Sequence, residues 1–424
     1  MQKLKALLVG QSADLMRAVP FLLSRAGFEV DVFATDWIYQ SKFILNYEIF
    51  PNKSEFLQKL SEKNLKIYEL VVICDDTTLS DVVKLDIDLE KKLKLLPVTQ
   101  EKDFKHLYSK IGLSQVLSEA QILIPDFVVA KNFNEMFEAA HRLGYPLMVK
   151  VDSSSGGGGV FECKSFADLE LIDPELLKSP LLIQKKIEGE ELDLSSFYRE
   201  GKLISFDYSK IVKAVKKFGP SSIRLYEQLS NLDESVFLQM QKLGEVLGAD
   251  GFANVVAIKS AQDGKIYFLE ADMRPNVWVD SAKFVGEDWA LRIANWFNEG
   301  LTLQYPQAIR ENYSKELLIP FCFRIPILEV LCNRHNVWRF ISRQEIAFFY
   351  QDFSRKIRFF LWRVNRIPTL TIRVFVPIKK DRARIRFYFE KLFKFLFNAL
   401  PLDPVVLVRC NLDLMFCKKS AVRI

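Results

Sequence analysis

The chain has 424 residues, 49% of them hydrophobic and 13% aromatic, which excludes a disordered composition and provides apolar material for two or three packed domains. No run of about eighteen apolar residues occurs, so no membrane-spanning helix is predicted, and the short basic start MQKLKALLVG is typical of a first β-strand rather than a signal peptide. Six scattered cysteines predict reduced thiols in a cytoplasmic protein rather than a disulfide framework.

Charge is distributed unevenly along the chain. The formal net charge is +6, but residues 301–424 contain 23 Lys and Arg against 9 Asp and Glu, a net of +14. The first 300 residues therefore carry a net charge of −8. Such a split predicts two regions with different partners.

The first 97 residues predict an α/β domain of the doubly wound type. An apolar strand at 4–9 is followed by Gly10, a helical pattern that ends at Gly27, and the strand FEVDVFA. A further strand, ELVVICDD, ends in Asp75 and Asp76, and the carboxyl ends of such strands are where these sheets bind ligands. Because the GxGxxG fingerprint is absent, we expect this domain to act as a scaffold rather than to bind a dinucleotide.

Residues 98–305 predict a mixed α+β domain. Helical patterns lie at about 100–120, 133–144 and 240–248, and apolar strands lie at PLMVKV and LLIQKKI. Two segments predict hairpins, with turns at Glu200-Gly201 and Asp263-Gly264.

The stretch SSSGGGG within residues 148–164 has three interpretations: a linker, a nucleotide loop or a turn. A linker would separate complete domains, whereas this stretch lies inside the α+β region. A P-loop needs Lys and Ser/Thr directly after the glycines, but here Lys150 precedes them and Val160 and Phe161 follow. We therefore predict a mobile glycine-rich lid that closes over phosphates, with Lys150 on the strand beneath it.

Four motifs in this order and spacing resemble those of the ATP-grasp superfamily of ATP-dependent carboxylate–amine ligases. They are Ser109-Lys110, then Lys150 with the glycines 156–159, then QKKIEGEE at 184–191, and finally EADMRPN at 270–276. The resemblance covers about residues 1–300 and implies α/β plus α+β architecture: an N-terminal doubly wound domain at 1–97, an ATP-grasp domain at 98–305 and a mobile small subdomain at about 120–187.

The resemblance also implies an activity. ATP and Mg²⁺, with Mn²⁺ as the alternative metal, would convert a small carboxylate to an acylphosphate. An amine, less often a thiol, would then attack it, and ADP and phosphate would be released.

The residues matched to the family fall into groups by implied role. Those expected to bind ATP phosphates are Lys110, Lys150, Ser155, Gly156, Gly157 and Gly158, with Lys213 from a basic segment nearby. The adenine edge would contact the backbone at Gln184, Lys185, Lys186 and Ile187, and the ribose would contact Glu191. Arg274 and Asn276 are the implied catalytic residues. Outside the family motifs, the basic segment 210–228 is either a solvated loop or part of the substrate site, and in the second interpretation Arg224 is the candidate for a substrate carboxylate.

Glu270 and Asp272 are the candidate metal ligands. Alternation along a strand places both carboxylates on one face, and oxygen ligands at this spacing suit Mg²⁺. The family usually carries a further carboxylate on the preceding strand, where this sequence has no acid and Ala257 lies near the expected position. Asn254 is the nearby substitute, and a degenerate, binding-only nucleotide module stays open as the alternative function.

The basic region 306–424 matches no motif. Its segments interleave aromatic residues with arginines, as in RIRFYFEKLFKFLFNAL. Three interpretations compete: a helical domain packed on the ligase, a peripheral membrane contact through 310–424, and a nucleic-acid surface, which is the least favoured.

A metal site at Cys322, Cys332 and His335 is not favoured, because their spacing is not that of zinc ligands. The oligomeric state, monomer or homodimer, stays open.

Overall fold

The computed structural model describes residues 3–35, 37–154, 157–305, 311–326, 329–330, 332–349 and 351–352. Its contacts divide the chain into two units, Met1–Asp352 and Phe353–Ile424, and all described residues belong to the first. Most of the basic region, and with it most of the segment 310–424 predicted to contact a membrane, therefore lies outside the described residues, as do Ser155 and Gly156.

The predicted N-terminal α/β unit is confirmed. Its four parallel strands lie in the order β3-β2-β1-β4; they are β1 Lys5–Gly10, β2 Glu29–Thr35, β3 Asn46–Phe50 and β4 Leu70–Ile73. The accompanying helices are α1 Ala13–Met16, α2 Val19–Arg25, α3 Lys53–Glu62, α4 Asp76–Lys84 and α5 Leu89–Leu95. Apolar side chains on both faces of β1 are buried, as expected for a parallel sheet covered by helices.

A second sheet of four antiparallel strands lies in the order β5-β8-β6-β7. The strands are β5 Phe127–Ala130, β6 Leu147–Val151, β7 Val160–Cys163 and β8 Leu181–Lys185, and the helices are α6 Lys110–Glu119, which precedes them, α7 Phe133–Leu143 and α8 Phe166–Glu170. This sheet has its own hydrophobic core with α7 and α8. It occupies part of the range predicted for a small subdomain.

The central sheet has seven strands, in the order β14-β13-β9-β11-β12-β15 with β10 paired to β9. They are β9 Gly189–Arg199, β10 Lys202–Phe206, β11 Tyr208–Ala214, β12 Ser221–Glu227, β13 Gly251–Ser260, β14 Ile266–Asp272 and β15 Glu316–Pro320. Helices α9 Glu234–Val246 and α10 Trp289–Glu299 pack beside it. Both predicted hairpins, β9–β10 and β13–β14, are confirmed, and β15 comes from beyond residue 305.

Short 3-10 helices join these elements. They span Glu101–His106, Pro174–Lys178, Leu229–Asn231, Ser281–Val285 and Arg334–Arg339. Among the described residues no helix has the length and apolarity needed to cross a bilayer. Cys74, Cys163 and Cys322 are buried free thiols and Cys332 is an exposed one, as the sequence predicted for these four.

Part of the central sheet has one apolar and one polar face, whereas farther along the same strands Phe197 and Phe252 make the second face apolar as well. Leu192, Leu194, Val255, Ala257 and Ala271 are buried in a hydrophobic core. The alternate positions on the same strands carry polar and acidic side chains instead, because successive side chains of a strand point to opposite faces. These are Glu191, Asp193, Ser195, Asn254, Glu270 and Asp272.

Candidate functional site

Strand register places the acidic side chains of the polar face next to one another. Asn254 on β13 lies opposite Asp272 on β14, and Val256 lies between Glu270 on one side and Asp193 on the other. Glu270 and Asp272 thus point from adjacent same-face positions, as predicted. The pair offers oxygen ligands at one end of the sheet.

Two of the predicted phosphate lysines lie on elements next to this face, Lys150 on β6 of the small sheet and Lys110 at the start of α6. Lys150 on β6 is only 5% exposed, and burial lowers the pKa of its ammonium while the nearby Glu270 carboxylate opposes that shift. Lys110 begins α6, and its Nζ donates to the Ser154 carbonyl oxygen at 2.6 Å. Glu191 keeps solvent access, but surrounding protein and the charge of Glu270 raise its pKa. Cations and anions of both sheets therefore meet here.

Hydrogen bonds attach the start of the glycine-rich loop to α6. Ser109 Oγ donates to the Asp152 carboxylate at 2.9 Å, and the Ile111 amide donates to the same group at 2.8 Å. Farther along, Gly157 has a φ of +74°, and a Cβ there would lie 1.8 Å from the Phe218 carbonyl oxygen. Glycine is therefore required at position 157, where the loop passes the β11–β12 turn; Gly158 follows it in the loop.

A bridge of charged side chains links the same turn to the small sheet. Glu162 on β7 accepts from Lys217 at 2.5 Å and from Lys186 at 2.9 Å. These two hydrogen bonds lower the pKa of Glu162 to about 2. Lys217 reaches across from the central sheet, so the bridge joins the two sides of the predicted nucleotide cleft.

The hinge residues are placed between the two sheets, at the end of β8. Gln184 is buried, with its amide 3.5 Å from Ser114 Oγ, and Lys185 Nζ donates to two carbonyl oxygens of the α7–β6 connection. The Lys185 and Lys186 side chains thus contact protein, and their backbone and that of Ile187 form the segment predicted to meet adenine. Lys213, on β11, is exposed.

Arg274 contacts two carboxylates. Its Nε and Nη2 donate to Asp76 at 2.5 and 2.8 Å, and Nη2 also donates to Asp272 at 3.0 Å. Burial raises the pKa of Asp272, and the guanidinium opposes that shift. Asp76 comes from the N-terminal domain, where it begins α4. In the sequence, Asp76 is marked only as one of two acids that follow a strand.

Asn276 is buried, and its contacts are with protein. Its amide donates to Ser195 Oγ at 2.7 Å and to Asn254 Oδ1, and its own Oδ1 accepts from the Trp278 amide at 2.8 Å. It therefore orients Asn254 beside Asp272 and presents no free polar group in this arrangement.

Arg224 is also buried, on β12. Its Nη1 lies 2.8 Å from Asp193, and its guanidinium stacks 4.7 Å from the centre of the Trp278 ring. Asp207, close by, is 1% exposed, and neither carboxylate oxygen has a hydrogen-bond partner among the described residues. Burial, followed by the charge of Asp193, raises its pKa well above the usual range.

One expected position needs correction. Ala257 is fully buried in the core and points away from the site. Val256 is the residue opposite Glu270 on the polar face, because a register irregularity follows it. In the described part of the chain, no group of three or more His, Cys, Asp or Glu side chains is arranged to hold a metal ion.

A small antiparallel sheet facing a larger one across lysines and carboxylates, after a doubly wound domain, defines the ATP-grasp fold. Comparison with solved structures agrees. An N5-carboxyaminoimidazole ribonucleotide synthetase in complex with ADP aligns with a TM-score of 0.55 and 15% identity, covering 76% of this chain and 83% of that one. The biotin carboxylase domain of Hydrogenobacter thermophilus 2-oxoglutarate carboxylase, with MgADP and bicarbonate, aligns with a TM-score of 0.54 and 16% identity, covering 75% and 74%. The L-amino acid ligase of Bacillus licheniformis aligns with a TM-score of 0.52 and 16% identity, covering 70% and 75%. At these identities the likeness establishes the fold.

Sequence comparison finds two large chains of carbamoyl phosphate synthase. The arginine-specific one from Geobacillus stearothermophilus is 27% identical over 192 residues, and the one from Pyrobaculum aerophilum is 30% identical over 159 residues. The matches cover 44% and 36% of this chain but only 18% and 16% of those proteins. No protein-family model matches the chain.

Proposed function

We propose that the protein is an ATP-dependent ligase that activates a carboxylate as an acylphosphate and joins it to an amine, with a thiol as the less favoured acceptor. The observation that carries this proposal is the meeting of Lys150, Glu270, Asp272 and Arg274 at one face. A cleft needs such cations to hold the several negative charges of ATP.

The nucleotide would lie between the small sheet and the central sheet. Lys110 and Lys150, with the glycine-rich loop, hold its phosphates, and the backbone from Gln184 to Ile187 contacts adenine. Glu191, at the solvent-accessible rim, accepts from the ribose hydroxyls. Lys213 is exposed and can reach phosphate only from the edge of this cleft.

Glu270 and Asp272 fit a single divalent ion better than a pair of ions. Their carboxylates lie at neighbouring positions, and Val256 leaves the site without an acid opposite Glu270. When bound, Mg²⁺, or Mn²⁺ in its place, neutralises phosphate charge. Arg274, next to Asp272, stabilises the additional charge on the transferred phosphoryl group.

The reaction balances in two steps. A carboxylate oxygen of the substrate attacks the γ-phosphorus as the bond to ADP breaks. The amine nitrogen then attacks the acyl carbon, loses a proton and displaces phosphate. The bicarbonate bound by one structural neighbour and the amino acids named for another indicate the carboxylates to test first.

Arg224 stays a proposed contact for a substrate carboxylate. Such a group would have to replace Asp193, which pairs with Arg224 in a buried position. Asn276 stays a proposed catalytic residue, and its hydrogen bonds to Ser195 and Asn254 indicate that it acts by orienting the face.

The experiment is ADP release from Mg·ATP in the presence of bicarbonate and a mixture of amino acids. Glu270→Ala should abolish release that depends on these substrates. The matched control, Glu138→Ala, changes an exposed glutamate on α7 and should retain it. Release that persists in the double variant Glu270→Ala, Arg274→Ala would refute the site assignment.

A second candidate is a nucleotide-binding module without turnover. The apolar Val256 in the place of a carboxylate favours it. It predicts Mg·ATP binding with no ADP release over the whole substrate mixture. For both candidate functions we place the protein in the cytoplasm. The alternative is a peripheral membrane contact through residues 310–424, which liposome flotation of the protein with and without those residues would test. Whether the protein forms a homodimer can be measured by light scattering.

A further inference from the structure

Asp76, at the start of α4, and Arg274, just after β14, connect the N-terminal domain to the central sheet. The two residues are 198 positions apart, and Nε and Nη2 of the guanidinium donate to both carboxylate oxygens of Asp76. Their side chains are only 14% and 11% exposed. A two-point arginine–carboxylate contact of this kind fixes the plane of the guanidinium as well as its position.

The N-terminal domain holds Asp76 in place through its neighbour. Asp75 caps α4 by accepting from the Thr78 amide at 2.8 Å, and it also accepts from the Gln11 and Ser12 amides at 2.6 and 3.1 Å. These bonds join the ends of β1 and β4 and use the Asp75 carboxylate within its own domain. Asp76, the first residue of the helix, is left to contact Arg274.

Each nitrogen of the Arg274 guanidinium has a defined partner. Asp76 takes the edge formed by Nε and Nη2, while Nη2 also reaches Asp272, and Nη1 donates to the Pro275 carbonyl oxygen at 3.4 Å. The guanidinium therefore lies beside Asp272 with its position set from outside the central sheet.

We propose that Asp76 is a positioning residue that orients Arg274 for the γ-phosphate of ATP, an inference that rests on the proposed function. The N-terminal domain is then part of the catalytic apparatus and not only the scaffold that the sequence predicted. Transition-state contacts depend steeply on placement, and an error of about 1 Å can cost about 100-fold.

The alternative is that Asp76 only stabilises the contact between domains. The two roles differ in what they do to nucleotide binding. A structural role affects ADP and ATP alike, whereas orientation of Arg274 affects only a ligand that carries a γ-phosphate.

The experiment compares the affinities of Mg·ADP and of the Mg complex of the β,γ-imido ATP analogue by calorimetry. The variants are Asp76→Ala, Asp76→Glu, Arg274→Ala and the double alanine. The control is Asp81→Asn, which changes another α4 acid; Asp81 accepts from the exposed Lys53 and from the Gln11 side-chain amide and makes no contact with Arg274 that carries the inference. Thermal unfolding of each variant monitors the fold.

We expect Asp76→Ala and Arg274→Ala each to weaken binding of the ATP analogue by about 10- to 100-fold, while the affinity for Mg·ADP stays unchanged. The double variant should bind the analogue no more weakly than Arg274→Ala alone, because the two side chains act as one unit. Asp76→Glu should recover part of the loss, and Asp81→Asn should match the wild type.

Three results would overturn the inference. They are unchanged analogue binding in Asp76→Ala, additive losses in the double variant, and equal losses for both nucleotides with a lowered melting temperature. If Arg274→Ala itself binds the analogue like the wild type, the proposed function fails as well, and that failure is recognisable before any Asp76 variant is measured.

Discussion

Replacing Lys150 by methionine removes the ammonium beneath the glycine-rich loop and keeps most of the side-chain volume. Lys150 is 5% exposed, and burial already lowers its pKa, so its charge is held in place mainly by Glu270. Without nucleotide, the variant loses both the cost of burying the ammonium and the attraction of the carboxylate. These effects oppose each other, and we expect the free energy of unfolding to change by less than about 1 kcal/mol.

When nucleotide is bound, the attraction between Lys150 and the phosphates outweighs the cost of burying its ammonium. The phosphates add negative charge to a face that already carries Glu191, Glu270 and Asp272, and Lys150 is a buried cation that offsets part of it. A charged hydrogen bond in such surroundings contributes about 2 to 3 kcal/mol, so Lys150→Met should weaken Mg·ATP binding by about 30- to 150-fold.

The assay is calorimetric titration with the β,γ-imido ATP analogue, paired with thermal unfolding of the free protein. Lys131→Met is the matched control, since Lys131 is an exposed lysine of the same small subdomain. An affinity for Lys150→Met within about threefold of the wild type, or an equal loss in Lys131→Met, would refute the reasoning.

Three further variants test other parts of the structure. Asp207→Asn should stabilise the protein by about 1 to 3 kcal/mol at neutral pH, because it removes a buried carboxylate without hydrogen-bond partners among the described residues. Since the pKa of Asp207 is raised in the folded state, this gain should shrink as the pH falls toward the ordinary carboxyl pKa of about 4. Urea titrations at several pH values measure both effects. Glu162→Gln should cost less than about 1 kcal/mol, since Lys217 is mostly exposed, yet should speed proteolytic cleavage of the small subdomain. Gly157→Ala should weaken Mg·ATP binding in the same titration, because the added Cβ would collide with the backbone of the β11–β12 turn.

Local sequence signals were sufficient for much of the fold and for part of the site. Alternation on β14 placed Glu270 and Asp272 on one face, and the apolar run PLMVKV placed Lys150 on a strand. These predictions succeeded because strand periodicity is a local property of the chain.

Contacts distant in the sequence could not be predicted in the same way. Nothing local to Arg274 shows that its partner is Asp76, and nothing near residue 316 shows that β15 pairs with β12. Counting residues back from Glu270 gave Ala257, whereas the irregular register makes Val256 its neighbour across the strands. A register shift of one residue exchanges the two faces of a strand, and the spacing of sequence motifs does not reveal it.

The most direct test of carboxylate activation follows an oxygen atom. The protein would be incubated with Mg·ATP and a mixture of amino acids labelled with ¹⁸O in their carboxylates. The same amino acids supply both the carboxylate and the amine. The released phosphate would then be examined by ³¹P NMR. Since the acylphosphate forms through a carboxylate oxygen and breaks at the acyl carbon, phosphate should carry one ¹⁸O atom. Phosphate without ¹⁸O, released together with ADP, would contradict the account.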